Sequence, residues 1–175
     1  MIRTVRPSDA ETICRIYNHY IRNTVITFEE QPLTVAEMAA RIEACTAGLP
    51  WLVYVDNDAV LGYAYAGTWK TRSAYRYSVE SSVYLDPSAL GRSLGTLLYE
   101  ALLAQLRTQP IHAVIAGITL PNQASVALHE KFGFLKVGHF REAGRKFDTW
   151  LDVGYWELLL PSPGNGQRDI GKQSA

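Results

Sequence analysis

The sequence predicts an α/β domain in which seven strand-like segments and four helices alternate along 175 residues, and three observations lead there. Segments with apolar residues at helical spacing are interleaved with short runs rich in Val, Ile, Tyr and Trp. Two of those runs flank Asp56, Asn57 and Asp58, the composition of a tight hairpin turn, and a third follows closely enough to complete an antiparallel sheet. A strand-like stretch then leads through a turn of small residues into a leucine-patterned helix, in "LDPSALGRSLGTLLYEALL" at 85–103.

The elements follow in order. "MIRTVR" alternates like a short strand, and "PSDAETICRIYNHYI" reads as a helix with Ser8 as its N-cap and Glu11 three residues later. In "TVAEMAARIEACTAG", Thr34 and Glu37 stand at capping-box spacing, Val35, Met38, Ala39 and Ile42 form an apolar stripe, and Gly48 stops the helix. "WLVYVDNDAVLGYAYAGTW" gives the hairpin and "RYSVESSVYL" the next strand. The helix after the glycine turn puts Leu94, Leu97, Leu98, Ala101, Leu102 and Leu106 on one stripe. "HAVIAGITL" is a nearly continuous apolar strand, "NQASVALHEKFGF" a helix closed by Gly133, and "LKVGHFREAGRKFDTWLDVGYWELLL" two final strands. Residues 1–161 are expected to form one domain, and the Pro-, Gly- and polar-rich stretch 162–175 a flexible tail.

Composition narrows the function classes. Apolar residues make up 47% and charged residues 19%, with 17 basic against 17 acidic side chains, so no net charge steers the chain toward nucleic acid or a membrane surface. "MIRTVRPSDAETI" lacks the apolar core of a signal peptide and no run approaches the length of a membrane span, which makes the cytoplasm the expected location. Cys14 and Cys45 lack the paired spacing of a zinc or redox site and read as reduced packing residues; no metal is expected.

The glycine turn is the first functional signal. A helix start exposes unpaired N–H groups at the positive end of the helix dipole, and a turn of small residues there can receive a phosphate. It is not a P-loop, because Gly95 is followed by Thr96 and Leu97 where Lys and Ser or Thr are needed, and the three spaced glycines of a dinucleotide fold are missing.

The element order, with the glycine turn at its centre, resembles that of the GNAT superfamily of acyl-CoA N-acyltransferases. Three stretches, "VESSVYLDPSALGRSLG", "GITLPNQASVALHEKFGF" and "GRKFDTWLDVGYWEL", are similar to the phosphinothricin acetyltransferase subfamily, and the resemblance spans residues 1 to about 160. It implies the GNAT fold, a central mixed, mostly antiparallel twisted sheet of about seven strands flanked by about four helices. It also implies an acetyl-CoA site in which the backbone of Val83, Tyr84 and Leu85 pairs with the pantetheine arm. Gly91, Arg92, Ser93, Leu94, Gly95 and Thr96 then hold the pyrophosphate, and Asn122 contacts the arm or caps its own helix. Two positions depart from the family pattern. Leu90 stands where Gln or Arg is usual, and Ser93 replaces the middle glycine, which is expected to distort the turn or to hold the cofactor less tightly, with Arg92 as a compensating point charge or a solvated surface residue.

Acetyl transfer to an amine needs a group that accepts a proton. Taken alone, Glu80 reads as a solvated strand residue; the match of "VESSVY" to the family motif makes it the expected base. His129 stands where many relatives carry a tyrosine that protonates the departing thiolate, so the resemblance implies a catalytic or substrate role for it. Arg72, Tyr75 and Arg76, just ahead of Glu80, suit a small acidic amine, and Phe28 and Glu29 are candidates to line the same pocket. The expected reaction is direct acetylation of the α-amino group of a phosphinothricin-like, methionine sulfoximine-like or methionine sulfone-like compound by a homodimer. The alternatives are a peptide N-terminus or lysine as acceptor, or a non-catalytic acyl-CoA sensor.

Overall fold

The computed structural model describes residues 1–161; the expected tail at 162–175 lies outside the described residues. Strand β1 (Ile2–Thr4) is followed by helices α1 (Ala10–Asn23) and α2 (Val35–Thr46), then strands β2 (Trp51–Asp56), β3 (Ala59–Thr68) and β4 (Ser78–Leu85). Helix α3 (Leu94–Leu106), strand β5 (Ala113–Leu120), helix α4 (Gln123–Lys131) and strands β6 (Leu135–Lys146) and β7 (Thr149–Leu159) complete the order. The strands form one seven-stranded sheet ordered β1-β2-β3-β4-β5-β7-β6. Among the described residues only β4 and β5 run parallel, so the sheet is mixed and mostly antiparallel.

Local chemistry accounts for most boundaries. Asn57 and Asp58 both take positive φ (46° and 62°), the geometry that lets a two-residue turn match the twist of its strands. At the start of α2, Glu37 N–H donates to Thr34 Oγ1 at 3.2 Å and Thr34 N–H donates to Glu37 Oε2 at 2.7 Å, which closes the capping box. Ser8 is not the cap of α1. Pro7–Asp9 forms a separate 3-10 turn, and the buried Asp9 carboxylate accepts from Arg6 N–H at 2.7 Å and from both terminal nitrogens of Arg3 at 2.7 and 2.9 Å. The guanidinium of Arg3 holds the Asp9 carboxyl below its ordinary range.

The sheet is covered on both faces. On one, Leu98, Leu102 and Leu106 of α3 pack on Val79, Val114 and Ala116, with Val126, Leu128 and Phe132 joining from the α4 side. On the other, Ile13 and Ile16 of α1 and Met38 of α2 pack on Val53 and Tyr63. Leu94, Leu98, Leu102 and Leu106 follow an i, i+4 row, which with Tyr99 and Leu103 forms the buried face of α3; Leu97 lies off that row and is 43% exposed, contrary to expectation. Burying a leucine such as Leu102 contributes about 2 kcal/mol. That suffices to fix how α3 sits beneath β4.

Candidate active site

A gap in the sheet organises the site. β4 and β5 pair over only three residues, Ser78, Val79 and Glu80 against Ala113, Val114 and Ile115. Beyond that point β4 stays with β3 up to Leu85, while β5 stays with β7 up to Leu120, so the two strands splay apart. Ala113 N–H donates to Tyr77 O, which puts the backbone groups of odd-numbered residues on the β5 side of β4. Val83 and Leu85 therefore present peptide groups to the gap, and the Leu85 carbonyl accepts from Tyr20 Oη at 2.7 Å. Tyr84, expected to share this role, pairs its backbone with Tyr63 on β3 and turns its ring onto Tyr17 and Tyr20 on the opposite side.

The gap leads to the start of α3. Asp86 accepts from Ser88 N–H and Oγ–H and pairs with Arg15, which lowers its carboxyl and anchors the strand end. Gly91 has φ +75°, a conformation that explains glycine there, since a Cβ would meet only open space. Ser93 takes the same left-handed region (φ 58°) despite its side chain, at a strain of roughly 1 kcal/mol. Among the described residues no side chain caps the start of α3. Thr96 N–H is already spent on Ser93 O, whereas the amides of Gly91, Arg92, Leu94 and Gly95 have no hydrogen-bond acceptor among the described residues. The Arg92 side chain pairs with Asp56 at 3.0 Å at the surface, and Leu90 is exposed. Asn122 caps α4, its Oδ1 accepting from Ser125 N–H at 3.1 Å. An unpaired strand edge followed by an uncapped, glycine-bearing helix start fits an extended diamide chain that ends in a pyrophosphate, the shape of acetyl-CoA.

Glu80 stands at the apex of the split, on the α1/α2 face of the sheet. It is half-buried; burial pushes its carboxyl up and the charge of Lys70 partly offsets that shift. Across the apex lies Gly117 of β5, exposed in the middle of a central strand, and beside it Tyr155 of β7. The ring of Tyr155 is met edge-on by Trp69 at 5.7 Å and by Phe140 at 5.6 Å.

His129 lies on the other face. It is 4% exposed, and Nδ1 is 2.7 Å from Ser125 O, a carbonyl that can only accept, so Nδ1 carries the proton. Nε2 then accepts from Tyr99 Oη at 2.6 Å, and Tyr99 in turn is 2.6 Å from Ser81 Oγ. Burial lowers the imidazole's proton affinity against the pull of Ser125. The structure thus links His129 to the residue after Glu80 through Tyr99 and does not bring the imidazole to the carboxylate itself.

The expected acceptor residues divide. Arg72, Tyr75 and Arg76 lie in or beside an exposed 3-10 turn at Ser73–Tyr75; Arg76 stacks on Tyr77 and donates to Ser73 O. No contact among the described residues joins these three to Glu80, and the nearby cation it senses is Lys70. Phe28 and Glu29 do reach the Glu80 face. Phe28 lies over Gly144, where a Cβ would overlap its ring, and Glu29 accepts from Tyr17 and pairs with Arg41. Their loop is tied down by Lys146, a buried cation that donates to Thr27 O at 2.7 Å. Lys70, Tyr99, Gly117, Lys146 and Tyr155 were missed in the sequence. Lys70 adjoins the basic run already suspected, while the others look like ordinary strand and helix residues until pairing places them. Among the described residues no group of three or more His, Cys, Asp or Glu side chains is arranged to hold a metal.

Comparison with known proteins finds relatives over most of the chain. A family model described as an acetyltransferase (GNAT) domain matches residues 2–154. The chain is 39% identical over 171 residues to a phosphinothricin N-acetyltransferase of Streptomyces viridochromogenes, covering 97% of this chain and 93% of that one. It is 35% identical over 160 residues to an L-methionine sulfoximine/L-methionine sulfone acetyltransferase of Salmonella typhimurium, covering 91% and 94%. Among solved structures, a GNAT superfamily phosphinothricin acetyltransferase from Sinorhizobium meliloti in complex with AcCoA superposes with a TM-score of 0.91 at 34% identity, covering 97% of this chain and 94% of that one.

Proposed function

Because the chain belongs to the GNAT acetyltransferase family, we propose that it moves the acetyl group of acetyl-CoA onto the α-amino group of a small amino-acid-like acceptor of the phosphinothricin, methionine sulfoximine or methionine sulfone type. The observation that supports this most directly is the position of Glu80 at the apex of the β4–β5 split, half-buried and facing the open floor at Gly117.

Acetyl-CoA supplies the acyl group as a thioester, and the protein supplies position and proton transfer. The peptide groups of Val83 and Leu85 pair with the extended arm, and the amides at Gly91–Gly95 meet the pyrophosphate. Asn122, the cap of α4 just beyond the end of β5, is assigned a further contact with the arm. On the opposite face Glu80 accepts a proton from the acceptor's ammonium, directly or through water, so that the amine attacks as a neutral nucleophile. The neutral amine adds to the thioester carbonyl to form the N–C bond, with a backbone N–H near Leu85 facing the oxygen where charge builds. As the adduct collapses the C–S bond breaks, and the proton still carried by the nitrogen passes to the departing sulfur, so that CoA leaves as the thiol. His129 acts through Tyr99, holding the Ser81 hydroxyl at the apex. Phe28 and Glu29 border the acceptor on the Glu80 face, and Arg72, Tyr75 and Arg76, which make no contact with Glu80 among the described residues, are assigned to reach the acceptor's carboxylate from the exposed turn ahead of β4.

The test is thiol release from acetyl-CoA against phosphinothricin, methionine sulfoximine, methionine sulfone, the common amino acids and a mixed peptide pool. Turnover of small amino acids alone is expected. Turnover of peptides alone would move the assignment to a peptide acceptor, and acetyl-CoA binding with no turnover at all would move it to a sensor.

The positive charge of Lys70 favours the ionised form of Glu80, and its removal gives a pH-dependent prediction. In Lys70→Met the acid limb of kcat/KM should move to higher pH, because the carboxylate then needs a lower proton concentration to ionise. An unmoved limb would detach Lys70 from the site. The proposal includes a homodimer in the cytoplasm; Phe147 and Trp150, both more than half exposed at the β6–β7 end, support an apolar contact there. Light scattering of the purified protein at micromolar concentration should give twice the chain mass, and a monomer would remove the dimer. No described helix is long and apolar enough to cross a membrane.

A further inference from the structure

Gly117 is an unusual residue for its place. A central strand favours β-branched and aromatic side chains, and its neighbours Ile115, Ala116 and Ile118 are buried, yet position 117 carries no side chain and is open to solvent. A Cβ there would lie 3.3 Å from Glu80 Oε1 and 3.3 Å from Tyr155 Cε1, closer than ordinary contact with both. The bare backbone at 117 is therefore what lets the carboxylate lie across the strand beside the phenol. Trp69 and Phe140 meet the Tyr155 ring edge-on, and Lys70 sits over the Trp69 ring at 4.6 Å. The result is a floor of bare backbone with an aromatic wall, a carboxylate at one end and a cation above.

From this arrangement we infer that Gly117 and Tyr155 form the seat for the acceptor's side chain and set its size limit. The inference rests on the proposed amino-acid acetyltransfer, and it names residues that determine which amino acid is accepted. An unbranched side chain of a few carbons lies on the backbone at 117 and against the Tyr155 ring, while its amine reaches Glu80. A polar group at the far end of the chain meets the Lys70 ammonium. A side chain at 117 occupies the same space and shortens the longest acceptor that fits.

The experiment compares Gly117→Val and Tyr155→Ala with the unaltered chain over alanine, 2-aminobutyrate, norvaline and methionine sulfone, reading kcat/KM. In parallel, tryptophan fluorescence is titrated with each acceptor, with Trp69→Phe as the control for the signal. Gly117→Val should lose roughly 10-fold or more in kcat/KM for methionine sulfone relative to alanine, since each methylene excluded from a pocket is worth about 10-fold or more. Tyr155→Ala should shift preference the opposite way, toward bulkier acceptors, so a poorly folded valine variant does not leave the seat undecided. The fluorescence response to methionine sulfone should vanish in Trp69→Phe. An unchanged acceptor profile in both variants overturns the seat and leaves the acetyltransfer reading intact. A Trp69 response without turnover of any amino acid overturns the transfer reading and keeps the seat. Neither response nor turnover overturns both.

Discussion

Glu80→Gln is expected to lower kcat by about 10²- to 10⁴-fold, the usual worth of a positioned general base, with acetyl-CoA affinity and melting temperature nearly unchanged. Gln keeps the shape of the side chain and removes only its ability to take a proton. Acetyl-CoA affinity should survive because the groups proposed to bind it are peptide amides in β4 and at the start of α3. The pH profile sharpens the test. Burial raises the Glu80 carboxyl above its ordinary value, so kcat/KM of the unaltered protein should rise with pH through a limb displaced upward from that value. That limb should be absent in Glu80→Gln. A variant that keeps near-normal turnover with the limb intact would transfer the proton-accepting role elsewhere.

His129→Ala should act first on stability. It empties a site packed against Phe134 at 5.1 Å and Tyr99 at 4.9 Å, and it removes one of the two partners of the buried Tyr99 hydroxyl, which keeps Ser81 Oγ at 2.6 Å. A cavity plus one lost buried hydrogen bond costs about 2–4 kcal/mol, which for a chain of this size lowers Tm by roughly 4–16 °C. The pH dependence has a definite sign. The imidazole's proton affinity is lowered in the fold, so below its ordinary value near 6.5 the unfolded chain binds the proton more readily. Its contribution is complete above that pH and is lost as the pH falls through the folded value; His129→Ala should flatten that part of the stability curve. Loss of kcat at constant Tm would instead make His129 a direct participant in proton transfer.

Much of the fold was legible because its signals are local. The hairpin is written in Asn57 and Asp58, the second helix in Thr34 and Glu37, and the end of the fourth in Gly133, each of which acts within a few residues of itself. The misplaced cap at Ser8 shows the limit of that logic: Asp9 closes the turn because Arg3, across the loop, pairs with it. Glu80 could be nominated from its motif. Its surroundings could not, since Gly117 and Tyr155 become its neighbours only through the register of three strands from distant parts of the chain. The burial of His129 likewise depends on where α3 places Tyr99. Spacing alone cannot say on which side of a sheet a helical histidine will lie.

The splay between β4 and β5 has a consequence for how the protein works with two substrates. A sheet that stops pairing halfway along two central strands has a seam, and a ligand that satisfies those strand edges mends it as an extra strand would. With the proposed binding mode, the co-substrate becomes a structural member for as long as it stays bound. The seam opens beside the start of α3 and the carboxylate looks out from the opposite face, so in that arrangement the two substrates approach from opposite sides of the sheet and meet at the apex. Neither then has to leave for the other to enter, and a single turnover proceeds with both in place.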